Sequence, residues 1–374
     1  MQTGHEKVIK LYDYIIVGSG LFGSICAYEL QKLNNKVLVL EKRPHVGGNC
    51  YTENVEGINV HKYGPHIFHT NDKRIWDYVS QFVEFNHYTN RTKVNYQGQI
   101  YSFPINLMTL NQVWGVKTPQ EAQLKIEKNR VPIKNPQNLE EWILSQVGEE
   151  IYEIFVKGYT TKQWGREPKY LPSSIIRRLP IRLTYNDNYF NDRYQGIPIG
   201  GYTQIFEKLL ENVDLETGVD FFDNKEYFES ISKKIIFTGK IDELFEYTFG
   251  ELEYRSLKFE EEILEGDFQG NALINYTEQS VPFTRICEHK HFEFGNQDKT
   301  VITREYPDSY SAGKVPYYPV GDQKNLEIYK KYKNLSKDFN NYIFGGRLAE
   351  YKYYDMHQVI GSALSKLKKG ILNE

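Results

Sequence analysis

The sequence predicts an α/β protein, with a Rossmann-like nucleotide-binding domain interrupted by an inserted helical domain and an antiparallel β-sheet domain. Three observations predict it. The chain opens on a strand, a glycine turn, a helix and a second strand. Its middle holds a proline-broken helical stretch and then Tyr/Phe/Val/Thr-rich runs. It closes on an apolar strand with paired glycines and an amphipathic helix.

Residues 12–17 read as a buried strand, and residues 21–33 carry apolar side chains at roughly helical spacing. Residues 36–41 read as the second strand, completing a βαβ unit of ordinary length. Residues 107–176 look helical, with breaks at Pro119, Pro132, Pro136, Pro168 and Pro172. Residues 178–196 and 252–320 read as antiparallel strands. The run 234–239 reads as a strand delivering Gly239 to a ligand edge, and 341–346 as another ending in Gly345 and Gly346. Residues 356–369 then show 3/4 apolar spacing, with Asp355 at the N-cap position. These readings place the nucleotide domain at 1–84, 197–245 and 322–374, the helical domain at 106–177, and the sheet domain at 85–105, 178–196 and 246–321.

Bulk properties narrow the function. At 374 residues the chain exceeds what one core organises. A net charge of -3 argues against a nucleic-acid partner recruited by bulk charge. Three cysteines make no disulfide framework and suit a reducing cytoplasm. No long apolar run predicts a membrane span, and the first ten residues lack the core of a signal peptide. The 30 tyrosines have two readings: ordinary half-buried rings, or a site that stacks rings and binds hydroxyls.

The turn Gly18-Ser19-Gly20-Leu21-Phe22-Gly23 carries the Gly-x-Gly-x-x-Gly spacing. Gly18 serves the tight turn, Gly20 the backbone approach to a pyrophosphate, and Gly23 the packing of helix on strand. The helix start offers free N–H groups to phosphates. Glu41 closes the second strand, where a carboxylate accepts from ribose hydroxyls. This much fits NAD equally well. Glu41-Lys42-Arg43 followed by Gly47-Gly48-Asn49 resembles the second glycine concavity of FAD-binding flavoproteins, with Arg43 adding charge. Gly346 and Arg347 before the last helix fit that reading. There is no second glycine-rich nucleotide turn and no CxxC pair, so the flavin need not relay hydride.

Further motifs follow in order: Lys62 to Thr70 with His66 and His69; Lys157 to Gly165; Arg177, Arg178 and Arg182; Asn188 to Gly196; Val281 to Arg285; Pro316 to Pro319; and Glu350 to Asp355. Together they resemble the UDP-galactopyranose mutase family over residues 12–370. The resemblance implies FAD, active when reduced, whose N5 attacks the anomeric carbon. The sugar ring opens and recloses between pyranose and furanose forms with no net redox. The product would be galactofuranose for cell-surface polysaccharide. UDP-N-acetylgalactosamine is an alternative substrate, and an amine-oxidase-like flavoprotein an alternative class.

By resemblance, Arg178 and Arg285 grip the diphosphate, with Tyr189, Tyr318 and Tyr353 donating beside them. Tyr159 stacks the uracil near Phe155. Asn90, Thr160 and Asn275 bond nucleotide or sugar, and Trp164 rides a loop that closes over the substrate. Asp355 both caps and orients, and Met356 follows it at the cofactor. His66 and His69 pack beside the flavin, with His69 counted as catalytic; a metal is not expected. His289 and His291 read as a surface pair on one strand face. A homodimer acting on a soluble UDP-sugar is implied.

Overall fold

The computed structural model describes residues 11–177 and 179–371. The opening βαβ unit forms as expected: strand Tyr12–Val17, helix Leu21–Lys32 and strand Val37–Glu41. β-Branched and leucine side chains make these strands near-continuous apolar runs, as strands covered on both faces require. Tyr12–Val17 is central in a five-stranded parallel sheet. Its neighbours are Ser232–Phe237 and then Tyr342–Phe344 on one side, and Val37–Glu41 and then Asp214–Thr217 on the other. The sheet therefore gathers strands from three distant stretches of chain. Helices Leu21–Lys32 and Met356–Ile371 pack together, and Ile25, Ala27, Leu30, Ile360 and Ala363 are buried in one core.

The second sheet has seven strands, in the order Tyr318–Pro319, Tyr254–Glu265, Lys299–Ser309, Arg285–Glu288, Leu273–Tyr276, Lys93–Tyr96, Gln99–Ser102. It is antiparallel except at one seam. Leu273–Tyr276 runs parallel to Lys93–Tyr96, because strands this far apart in sequence have no hairpin to set their direction. Arg285 lies opposite Asn275 on one side and Glu305 on the other.

Helices Leu107–Trp114, Pro119–Asn129 and Leu139–Val147, capped by Asn106, Thr118 and Asn138, share a core with Val94 and Tyr101 at the edge of the second sheet. A further helix runs from Glu149 to Trp164, with a π-helical segment at Glu153–Lys157. No described helix is long and apolar enough to cross a membrane.

Two expectations fail. Of the stretch read as strands at 178–196, only Tyr194–Gly196 is one, paired with Phe68–Thr70. Residues 179–193 are irregular because side chains take over their backbone bonding: Arg182 donates to the carbonyls of Asn186 and Asn188, and Asn188 N–H donates to the Asn186 side chain. His289 and His291 are not a surface pair on a strand. They lie in a 3-10 turn, His289–Glu293, and His289 is 2% exposed. Its Nδ1 accepts from the His61 N–H, and its Nε2 meets the Thr303 hydroxyl at 2.7 Å.

Candidate active site

The glycine turn is built for an anion. Gly18 has φ +100°, and a Cβ on Gly23 would overlap the Gly18 carbonyl. A Cβ on Gly20, by contrast, would meet no protein atom within 4 Å. The helix starting at Leu21 has no side-chain cap, so its first N–H groups remain for a ligand. The second glycine pair lies against the first: Gly47 N–H donates to Ser19 O, and Gly48 approaches the Gly20 Cα. Arg43 donates to Asn49 Oδ1 with one guanidinium nitrogen, while its buried Nη1 has no partner among the described residues. Its guanidinium stacks 4.1 Å from the Tyr63 ring. An orphaned arginine nitrogen beside two glycine loops and an uncapped helix suits a dinucleotide phosphate.

Glu41 is more committed than the sequence indicates. It accepts from Ser19 N–H and Oγ at 2.9 and 2.6 Å and from Arg43 N–H at 2.9 Å. A carboxylate accepts about four bonds, so one acceptor position is left for a ribose. Lys42 pairs with Asp220 at 2.6 Å instead of joining the phosphate loops. Gly239 follows Thr238 at the sheet edge, where Thr238 donates to Val17 O. At the far strand, Gly345 and Gly346 close on the Phe22 ring of the first helix. Asp355 precedes the last helix, receives Val359 N–H on its carbonyl, and donates its own N–H to Gln358. Met356 accepts a weak bond from the buried Cys50 thiol.

Beside this edge, at Asn49, Arg347 and Met356, lies a cavity of about 420 Å³ that reaches Asn275, Arg285 and Tyr318 of the seven-stranded sheet. Asn49, His66, His69, Asn90, Tyr189, Asn275, Arg285, Tyr318, Arg347, Tyr353, Asp355 and Met356 all line it. A smaller cavity adjoins it, lined by Phe155, Tyr159, Thr160 and Trp164 and sharing Tyr189, Asn275, Arg285, Tyr318 and Tyr353. The structure thus brings together the side chains assigned to substrate. Arg178, the other expected diphosphate cation, lies outside the described residues.

Arg285 donates to the Tyr159 hydroxyl at 2.5 Å and has Glu305 Oε1 3.6 Å from its Nε. Burial disfavours its charge, but Glu305, Tyr159 and Tyr318 more than offset that. The same burial pushes the Tyr159 and Tyr318 phenols up, so both remain donors at neutral pH. Tyr318 and Tyr353 stack at 5.2 Å, with the Arg347 guanidinium 5.2 Å from the Tyr353 ring. Asn90 accepts from Tyr88 and Thr92, both at 3.4 Å.

His66 N–H donates to His61 Nδ1, and its ring bonds Gly64 O; burial depresses its pKa to about 4. His69 is held by Asp192 at 2.5 Å and stacks on Phe190 at 3.7 Å. Two residues of evident consequence had no role in the sequence reading. Asp192 stood inside a quoted motif unassigned. Glu305 gives no one-dimensional signal, since only strand register sets it opposite Arg285.

A Rossmann-type sheet with a phosphate-ready glycine edge, opening into an arginine- and tyrosine-lined cavity, defines a dinucleotide-dependent enzyme with an anionic substrate. Residues 16–82 match the NAD(P)-binding Rossmann-like domain, and residues 154–353 match the family described as UDP-galactopyranose mutase. The dTDP-fucopyranose mutase of Escherichia coli is 42% identical, over 94% of this chain and 96% of its own. The probable UDP-galactopyranose mutase of Klebsiella pneumoniae is 40% identical, over 94% and 93%. A crystal structure of reduced UDP-galactopyranose mutase superposes with a TM-score of 0.75 at 16% identity, covering 97% of this chain and 96% of that one. The chain belongs to the UDP-galactopyranose mutase family and is an isomerase of that kind.

Proposed function

We propose that this enzyme interconverts UDP-galactopyranose and UDP-galactofuranose with FAD in its reduced form. The observation that carries the reading is Arg285: a cation held by Tyr159 and Glu305, facing a cavity that reaches Asn49 and Arg347, the residues next to Gly48 and Gly346. Such a group suits a leaving diphosphate, whose charge grows as the anomeric bond breaks. Bound there, a reduced flavin would supply a nucleophilic nitrogen for the anomeric carbon with no net redox change. The protein supplies the rest. Gly18, Gly20 and Gly48 shape the pyrophosphate cradle, Arg43 adds charge, and Glu41 keeps Ser19 in place. Tyr159 offers its face to the base, and Tyr189, Tyr318 and Tyr353 offer hydroxyls to phosphate oxygens.

The test is direct. Dithionite-reduced, flavin-loaded enzyme should convert UDP-galactofuranose to the pyranose form without consuming NAD(P)H. Equal turnover by the oxidised enzyme refutes the nucleophilic-flavin reading. A second substrate also has support, since the 42%-identical relative is named for dTDP-fucopyranose. Both nucleotide sugars, with UDP-N-acetylgalactosamine beside them, belong in the same assay. The higher kcat/KM assigns the substrate.

A further inference from the structure

Lys162 does not line either cavity, yet it has an unusual set of partners. Its ammonium lies 2.8, 2.8, 2.9 and 2.9 Å from the carbonyl oxygens of Tyr276, Glu278, Val281 and Phe283. An ammonium has three N–H donors, so four acceptors at these distances share them. The carbonyls converge as they would on a bound monovalent cation. Among the described residues no carboxylate takes part in the cage. The loop they belong to joins strand Leu273–Tyr276 to strand Arg285–Glu288. Those strands present Asn275 and Arg285 directly opposite one another at the substrate cavity.

Lys162 itself stands on helix Gly158–Trp164, which carries Tyr159, Thr160 and Trp164. That helix touches the same loop in two more places. The Thr277 hydroxyl, 1% exposed, donates to Ile154 O at 2.6 Å, within the π-helical segment. Gly158 packs so close to Thr277 O that a Cβ would overlap it. π-Helical turns realign the side chains that follow them and cluster at functional sites. Here the realigned residues are the ones facing the smaller cavity. Facing carbonyl dipoles repel when no cation stands among them, so the loop needs the charge to stay closed.

We propose that Lys162 is a positioning residue. Its ammonium acts as a built-in cation that clamps the hairpin bearing Asn275 and Arg285 onto the helix bearing Tyr159 and Trp164, setting the Arg285–Tyr159 grip on the nucleotide diphosphate. The inference rests on the functional reading above for the identity of that ligand. Burial lowers the pKa of Lys162 to about 8, with Glu278 the charged group acting against the shift, which agrees with an ammonium drawn out of water to serve the loop.

Flavin-loaded Lys162→Met keeps the aliphatic stem and removes the charge. It should retain its flavin and stay folded at the assay temperature, with a melt lowered by the unpaired carbonyls, while its Kd for UDP by titration calorimetry rises at least about tenfold. KM should rise more than kcat falls, because the clamp acts on ligand-holding groups in ground and transition states alike. In Lys162→Ala, n-propylammonium replaces the missing atoms and should restore UDP affinity saturably. Tetramethylammonium, with no N–H donor, should not. Unchanged UDP affinity in Lys162→Met overturns the inference, as does a loss that only parallels flavin release or melting. So does equal rescue by the two amines. Wild-type enzyme that bound no UDP would instead overturn the functional reading, and this inference with it.

Discussion

Removing Arg285 should cost stability and catalysis by separable routes. Glu305 is 2% exposed and has Arg285 as its cationic partner, 3.6 Å away. At an effective dielectric of about 20, unit charges at that distance attract by about 4–5 kcal/mol. The Arg285 side chain is 23% exposed, so screening trims the figure, and stranding the carboxylate in Arg285→Ala should cost about 3 kcal/mol. For a chain of this size that lowers the apparent melting temperature by about 4 °C. Adding Glu305→Gln removes the stranded charge and should recover at least about half of the loss, a coupling visible in a double-mutant cycle. Activity should behave differently. Loss of a charged donor from a desolvated diphosphate site costs about 3 kcal/mol, or about 100-fold in kcat/KM, and Glu305→Gln cannot restore it. Thermal melts and a chromatographic assay of the two sugar isomers read both effects. An Arg285→Ala melt equal to wild type would falsify the pairing. Recovery of turnover in the double variant would refute the catalytic role of the guanidinium.

Three further perturbations test other parts of the site. Burial holds His61, His66 and His289 neutral, with His66 at about 4 and His289 at about 3. Folded pKa values below the unfolded value of about 6.5 mean that the unfolded chain binds more protons, so this stability is full above that pH and is lost as pH falls. His289 alone should remove about 2 kcal/mol between pH 6.5 and 5, and a melting temperature flat across that range refutes the assignment. Gly23→Ala forces the first helix off the Gly18 carbonyl, so bound flavin absorbance per protein should fall by more than about tenfold; full occupancy would contradict the close packing. Tyr159→Phe keeps the ring but deletes its bond to Arg285, and about tenfold of kcat/KM should go with it, UDP affinity changing less. Equal losses in both would show that the hydroxyl acts in binding alone.

The nucleotide half of the fold was legible because its signals are local. Tyr12–Val17, Leu21–Lys32 and Val37–Glu41 follow from apolar runs and a glycine turn within about thirty residues. The last helix followed from 3/4 spacing, and Gly47 and Gly48 from their place after the second strand. The losses have a common cause. Residues 179–193 carry the aromatic and β-branched composition of strands, but Arg182 and the asparagines bond the backbone first. His289 alternates with His291 as a strand would, yet its ring is consumed by His61 N–H and Thr303 inside the core. The π-helical segment accepts a bond on its Ile154 carbonyl from Thr277, more than a hundred residues away. In each case a side chain distant in sequence or competing with the backbone overrode the periodic signal.

The two halves of the site also differ in how change can reach them. The phosphate cradle is made of backbone: Gly18 and Gly23, whose added Cβ atoms would overlap neighbours, Gly20, whose Cβ would enter the space left for a ligand, and helix N–H groups with no side-chain cap. Substitution there acts by steric exclusion and leaves little room for tuning. The substrate half is made of side chains from separate stretches of chain: Asn90, Tyr159, Tyr189, Asn275, Arg285, Tyr318 and Tyr353. They are registered by strand pairing, the Arg285–Tyr159 bond and the Lys162 cage. A relative named for dTDP-fucopyranose and one named for UDP-galactopyranose stand at nearly equal identity to this chain. Those sugars share an anomeric carbon bearing a diphosphate and differ at the base and at the sugar periphery. On the proposed reading, the common chemistry would fall to Arg285, the tyrosines and the glycine edge. Discrimination would then fall to apolar side chains of the smaller cavity, Phe103, Phe155, Val156 and Ile176, where one methyl group more or less on a ligand is worth about 1 kcal/mol.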